Sequence, residues 1–195
     1  MSQSVRIAVI SGSLRKGSYN TKLARYVAGR IKGPGVEIDE ISLLELDLPM
    51  MNEDLEKEQG HSAAVLDLKK RLIAADGVLY ASPEYNGSLS PALKNAIDWA
   101  SRPREGEKQL EAFKGKTAGL LGASPGKLGG LRGLRHLRTI LSGIGTHIVP
   151  TEFALSGAHE AFDADGNIKD ANTAKMAIAV GESLVKTARA IKNAG

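Results

Sequence analysis

The feature that most constrains this chain is the alternation of short apolar, β-branched segments with longer segments of helical periodicity. We predict strands over Val5–Ile10, Val36–Leu43, Gly77–Ala81, Thr117–Ala123 and His147–Ala154. We predict helices over Asn20–Ile31, His61–Ala75, Pro91–Ala100, Gly130–Gly143 and Asp170–Asn193, and an irregular link over Leu44–Gly60. Strands that alternate with helices pair in parallel through right-handed crossovers. The pattern therefore predicts one α/β domain over residues 1–195, with helices on both faces of a five-stranded parallel sheet.

Composition excludes several classes of function. The chain contains no Cys, which excludes disulfides, thiol nucleophiles, iron–sulfur clusters and Cys-ligated zinc. The four histidines are scattered and predict no metal site, and the small, dispersed net charge of +4 does not favour a nucleic-acid partner. No apolar segment is long enough to cross a bilayer, and the apolar start at Val5–Ile10 is too short for a signal peptide. We therefore expect a cytoplasmic protein without membrane insertion.

The segment after the first predicted strand has the composition of a phosphate-binding loop. It runs from Gly12 to Asn20 and combines glycine, hydroxyl side chains and two cations with the start of a helix. Free backbone N–H groups, hydroxyl donors and the helix dipole together bind a phosphate. The loop lacks the lysine of nucleoside-triphosphate loops, because Ser18 and Tyr19 follow Gly17, and it also lacks the G-x-G-x-x-G pattern. These features favour a monophosphate; the alternative is an ordinary polar turn with Asn20 as the N-cap.

The segment after the third predicted strand is suited to a flat heterocycle. Pro83 stiffens it, Tyr85 offers an aromatic side, and Asn86 offers a polar edge. The alternative for Tyr85 is a surface aromatic at a turn. We interpret Glu84 as a backbone-contact position whose side chain turns away. For Asp98 and Trp99, on the following helix, we expect an ion pair and packing rather than chemistry.

These segments carry a resemblance to a known family. Gly12–Asn20, Ser82–Asn86 and Leu93–Trp99 together resemble the NADPH-dependent FMN reductases, and among them the bacterial chromate and quinone reductases. The resemblance covers nearly the whole chain, from Val5 to the last predicted helix. It implies a flavodoxin-like three-layer sandwich whose parallel sheet has the order 2-1-3-4-5, with FMN bound where the strand order reverses.

The resemblance also implies where the cofactor binds. Around the FMN phosphate and ribityl chain it places Ser13, Arg15, Ser18, Tyr19 and Asn20. Along the isoalloxazine ring it places Pro83, Glu84, Tyr85 and Asn86, and against the flavin from a third loop it places Ser124. The departures from the family, Tyr19 in place of Phe and the variable Pro125-Gly126, concern substrate preference more than the cofactor.

The implied activity is transfer of a hydride from NADPH or NADH to FMN, and then to quinones, chromate or other electron-poor small molecules. The flavin supplies the redox chemistry, so no catalytic side chain is assigned. The resemblance further implies a homodimer or homotetramer. One alternative is a non-enzymatic electron carrier, which the basic charge disfavours. Another is a phospho-receiver domain, which Ser11, Ala81 and Ala123 disfavour because they stand where that fold needs acids.

Three arginines at three-residue spacing, Arg132, Arg135 and Arg138, are expected to share one helix face beside the third loop. One interpretation is that they contact the phosphates of NADPH or an anionic acceptor. The other is a solvated face, or a contact between subunits with an acid such as Glu152.

Overall fold

Apolar strands build the centre of the protein, which is described by a computed structural model over residues 4–194. The strands are β1 (Val5–Ser11), β2 (Val36–Ser42), β3 (Gly77–Ala81), β4 (Glu84–Tyr85), β5 (Ser88–Leu89), β6 (Thr117–Ala123) and β7 (His147–Leu155). Five of them form a parallel sheet in the order β2-β1-β3-β6-β7, and β4 pairs with β5 in a separate antiparallel hairpin. Without the hairpin strands, this is the predicted order 2-1-3-4-5, and the fold is flavodoxin-like.

Helices cover both faces of the sheet. They are α1 (Tyr19–Ile31), α2 (Leu43–Leu46), α3 (Glu53–Gln59), α4 (Ala63–Ala74), α5 (Pro91–Ser101), α6 (Leu131–Gly143) and α7 (Ala171–Ala194). One core cluster lies between the sheet and α1 and α7, and the other between the sheet and α4, α5 and α6. Every residue of β3 is buried, as expected for a central strand, whereas β2 is largely half-exposed, as predicted for an edge. Within residues 4–194, no helix is both long enough and apolar enough to span a membrane.

The link Leu44–Gly60 was expected to be irregular, and this prediction was wrong, because α2 and α3 occupy much of it. Side chains of α5 hold the segment between these two helices. The Pro49 carbonyl accepts hydrogen bonds from Asn95 Nδ2 at 2.9 Å and from Trp99 Nε1 at 2.7 Å.

The roles expected for Asp98 and Trp99 are confirmed. Asp98 forms an ion pair with Lys94 at 2.7 Å, and Trp99 is buried in the packing of α5.

The hairpin β4–β5 was not predicted. Its turn is Asn86-Gly87, with φ of 52° and 81°, and such a pair of positive φ values is typical of the two-residue type I′ turn. Each of its strands has only two residues, too few to produce an alternating hydrophobic pattern.

Candidate functional site

Three loops meet beyond the carboxyl ends of β1, β3 and β6, where open parallel sheets bind ligands. The first loop spans residues 12–18, the second residues 82–90, and the third residues 124–130. The chain passes from β1 to one neighbour, β2, and later returns to the other, β3, so the strand order reverses beside the first loop. This reversal leaves a crevice between the connections on the two faces of the sheet.

The first loop leads into the N-terminus of α1. Ser18 is the N-cap of this helix, and its hydroxyl accepts a hydrogen bond from the Thr21 amide at 3.3 Å. The alternative that Asn20 is the N-cap is therefore wrong, because the N-cap stands two residues earlier and the helix begins at Tyr19. The amides of Tyr19 and Asn20 find no acceptor in the described part of the chain, as the geometry of a helix start requires.

The electrostatics of this helix start suit an anion. The first turn of α1 contains no acidic residue, and Arg15 and Lys16 are exposed just before it. The Arg15 guanidinium lies over the Tyr19 ring, 5.2 Å from its centroid. The amides of Tyr19 and Asn20, the helix dipole and two exposed cations thus lie at the same helix start. The residues present therefore fit the phosphate of FMN.

The side chain of Asn20 is engaged within the protein. It is buried, its Nδ2 donates to the Ala123 carbonyl at 2.9 Å, and its Oδ1 accepts from the Ala123 amide at 2.8 Å. The first turn of α1 is thus joined to the end of β6.

The second loop is joined to the first by Ser90. Its buried hydroxyl donates to the Gly12 carbonyl at 2.5 Å and accepts from the Leu93 amide at 3.2 Å, so it also caps α5. The sequence interpretation missed this residue, although Ser-Pro before a helix signals an N-cap. Pro83 is buried, whereas Tyr85 and Asn86 are exposed at the tip of the hairpin.

The Glu84 carboxylate is directed at α6. It accepts hydrogen bonds from the amides of Arg132 at 3.0 Å and Gly133 at 3.3 Å, and from Arg132 Nε at 2.6 Å. Gly130, the N-cap of α6, provides no side-chain cap, so Glu84 caps this helix from another element. Burial raises the pKa of Glu84, but hydrogen bonds and the charge of Arg132 outweigh burial and lower it. The carboxylate therefore stays ionised at neutral pH and holds the hairpin against the start of α6.

The third loop and the hairpin border an open depression of about 410 Å³. The Ser124 hydroxyl lies on its wall and accepts a hydrogen bond from the Gly126 amide at 3.1 Å. Gly129 and Gly130 follow with φ of 61° and 97°, and they return the loop to α6. The depression has room for a planar ring beside the hairpin.

The three arginines of α6 form ion pairs within the chain. Arg132 pairs with Glu84, while Arg135 and Arg138 reach the nearly buried Glu152 on β7 at 3.0 Å and 2.9 Å. Glu152 therefore meets two of these arginines within its own chain, and a contact of this helix face with another subunit stays a hypothesis. The Arg132 and Arg135 side chains remain largely exposed.

Comparisons with known proteins identify a family. Residues 5–160 match the family described as NADPH-dependent FMN reductase. The chain belongs to this family. An NAD(P)H-dependent FMN reductase of Pseudomonas aeruginosa is 41% identical to this chain over 172 residues. The match covers 87% of this chain and 88% of that protein. An NADPH:quinone oxidoreductase of Arabidopsis thaliana is 38% identical, over 85% of this chain and 83% of that protein.

A solved structure matches this family member along nearly its whole length. The flavoenzyme FerB, an NAD(P)H:(acceptor) oxidoreductase from Paracoccus denitrificans, superposes with a TM-score of 0.82 at 35% identity. The match covers 95% of this chain and 98% of FerB.

All the residues assigned to the cofactor by resemblance lie in the three loops or in the first turn of α1. In the first loop and the first turn of α1 lie Ser13, Arg15, Ser18, Tyr19 and Asn20; in the second lie Pro83, Glu84, Tyr85 and Asn86; in the third lies Ser124. Their side chains differ in what they can do. Ser18, Asn20 and Glu84 are engaged by the protein itself, whereas Arg15, Tyr85 and Asn86 are exposed.

Proposed function

We propose that this chain is an NAD(P)H-dependent FMN oxidoreductase that reduces quinones and other electron-poor small molecules, with chromate among its acceptors. The observation that carries the proposal is the N-terminus of α1. It presents two amides without an acceptor among the described residues, together with exposed cations, where the strand order reverses. Asn20 joins it to the end of β6, next to the third loop, which borders the open depression.

The proposed cofactor site divides into a phosphate end and a ring end. At the phosphate end, the amides of Tyr19 and Asn20, the Ser13 hydroxyl and the Arg15 guanidinium would hold the anion, with Ser18 fixing the helix start. At the ring end, the site would consist of the segment Pro83, Glu84, Tyr85 and Asn86 together with Ser124.

When bound, FMN supplies the hydride-accepting and hydride-donating chemistry. The protein binds it, orients it and leaves one side accessible. The exposed Asn86 lines the depression, and the exposed Tyr85 precedes it in the hairpin, so a nicotinamide and then an acceptor can approach from this side. No side chain here is proposed to move a proton, because Glu84, the one carboxylate among the described residues that line the depression, is hydrogen-bonded to α6.

We also propose a single domain that assembles as a homodimer or homotetramer in the cytoplasm, where nicotinamide nucleotides are available. Leu14, Leu44 and Met50 support the assembly, because these exposed apolar side chains line one groove of about 220 Å³ beside the first loop. Light scattering on the purified protein is expected to give a mass two or four times that of the chain.

An anaerobic titration tests the proposed activity. The purified protein is loaded with FMN, titrated with NADPH or NADH, and then mixed with a benzoquinone or with chromate. We expect the visible flavin absorbance to bleach with the nicotinamide and to return with the acceptor. A yellow protein that neither nicotinamide can reduce would instead be an electron carrier. Bleaching that only the quinone reverses would remove chromate from the proposal.

A further inference from the structure

One side chain joins the two ends of the cofactor site. Asn20 stands in the first turn of α1, at the phosphate end, and binds the peptide of Ala123, which is 103 residues further along the chain. Ala123 is the last residue of β6 and immediately precedes Ser124, at the ring end. Both hydrogen bonds are buried and of ordinary length, at 2.9 Å and 2.8 Å.

The sheet explains why the Ala123 peptide needs this partner. In a parallel sheet, successive residues of a strand direct their amide and carbonyl groups alternately to the two neighbouring strands. Leu121 bonds toward β3, where its carbonyl accepts from Ser82, and Ser124 bonds toward β7, where its amide donates to Leu155. Ala123 therefore faces the β3 side, but β3 ends at Ala81, opposite Leu121. The Asn20 amide takes the place of the missing strand.

Few types of side chain can take the place of Asn20. Only a side chain with a donor and an acceptor side by side can satisfy both groups of one peptide. Buried peptide groups left without partners are costly, so the end of β6 would shift if the amide were removed. Asn20 as a whole residue is also only 3% exposed, so its side chain offers little surface to a phosphate.

We infer that Asn20 is a positioning residue, whose side chain fixes the third loop relative to the phosphate end while only its backbone amide faces the anion. The inference rests on the proposed cofactor site. It differs from the role that resemblance assigns to Asn20, and it predicts that the side chain affects binding of the ring as well as binding of the phosphate.

Riboflavin, which is FMN without the phosphate, separates these roles. Dissociation constants for FMN and riboflavin are measured by flavin fluorescence with four proteins: wild type, Asn20→Ala, Arg15→Ala and Asn95→Ala. For Asn20→Ala we expect both flavins to bind about tenfold more weakly, because the loss of two buried hydrogen bonds displaces the third loop. For Arg15→Ala we expect weaker binding of FMN and unchanged binding of riboflavin, since the guanidinium acts on the phosphate.

Asn95→Ala is the matched control. Asn95 holds a backbone segment in the same manner, through the Met51 amide at 2.7 Å and the Pro49 carbonyl at 2.9 Å, but outside the three loops. It is expected to lower the melting temperature and to leave both flavin affinities unchanged. If Asn20→Ala does not fold, Asn20→Asp replaces it; this variant keeps the acceptor for Ala123, loses the donor, and is expected to weaken riboflavin binding about threefold.

Three results would overturn the inference. If Asn20→Ala weakens binding of FMN alone, the side chain is a direct phosphate ligand. For Asn20→Asp, whose charge repels the phosphate in any case, unchanged binding of riboflavin overturns the inference. If Asn20→Ala leaves the binding of both flavins unchanged, the role of the side chain is only structural. A wild-type protein that binds FMN no more tightly than riboflavin would instead contradict the phosphate site of the proposed function. A wild type that binds neither flavin would overturn both.

Discussion

At the scale of single residues, Glu84 predicts an acid-sensitive link between the hairpin and α6. Its folded pKa lies below the ordinary value of 4.5. A carboxylate with a lowered folded pKa contributes stability above its unfolded pKa, and this contribution is lost as the pH falls through the folded value. Glu84→Gln is therefore expected to cost about 1 kcal/mol of unfolding free energy at neutral pH, where a charged cap is replaced by a neutral one.

The measurement is urea denaturation of wild type and Glu84→Gln between neutral pH and pH below 4.5. The difference between the two proteins is expected to shrink as the pH falls below 4.5. Glu182→Gln is the control, because Glu182 is exposed on α7, and it is expected to leave the profile nearly unchanged. A difference between wild type and Glu84→Gln that stays constant over this range would contradict the assigned role.

At the scale of elements, the third loop requires glycine at residue 129 for two reasons. Its φ is 61°, and an added Cβ would lie 2.6 Å from the carbonyl carbon of Ala154, which is backbone and cannot yield. Gly157 has a similar φ of 57° but open space around it. Gly157→Ala is expected to lower the free energy of unfolding by about 1 kcal/mol, because alanine is strained at this positive φ. Gly129→Ala is expected to cost at least about 2 kcal/mol more and to weaken FMN binding. The measurement is the free energy of unfolding from urea denaturation. Equal decreases for Gly129→Ala and Gly157→Ala would show that the close approach of residue 129 to β7 does not contribute to stability.

The contact between α1 and α7 allows a second matched comparison. A Cβ on Gly181 would lie 2.7 Å from Val27 Cγ1 and 2.8 Å from Ile31 Cγ2, whereas a Cβ on Gly29 would meet nothing within 4 Å. Gly181→Ala is expected to destabilise the protein by about 1–3 kcal/mol through overpacking. Gly29→Ala is expected to stabilise it by up to about 1 kcal/mol, because alanine is the better helix former. If both variants raise the melting temperature, α1 and α7 can move apart without loss of stability, which would contradict this prediction.

Elements with a strong local pattern could be predicted from the sequence, and contacts between distant segments could not. The five central strands were recognisable as apolar segments, and the phosphate-binding character of the first loop followed from its own residues. The two short helices of the 44–60 link and the two-residue strands of the hairpin are too short to produce a periodic pattern. The contacts Asn20–Ala123 and Glu84–Arg132 join residues 103 and 48 positions apart, and only the folded sheet brings these pairs together.

At the scale of the whole molecule, the cofactor is expected to be part of the stability of the fold. A ligand that binds only the folded state at a hundred times its dissociation constant adds about 2.7 kcal/mol. For a chain of this length, this corresponds to a rise in melting temperature of about 5–10 °C, measurable by thermal denaturation with added FMN. At equal concentration, riboflavin is expected to give a smaller rise, since it lacks the group that α1 binds. Equal rises would mean that the phosphate contributes nothing.

The most direct test of the account is a crystal structure of the protein grown with FMN. The phosphate is expected at the N-terminus of α1, with oxygens about 3 Å from the amides of Tyr19 and Asn20. The ring is expected in the depression between the hairpin and the third loop. An FMN phosphate bound elsewhere, or a first loop closed by its own side chains with no room for an anion, would contradict the account.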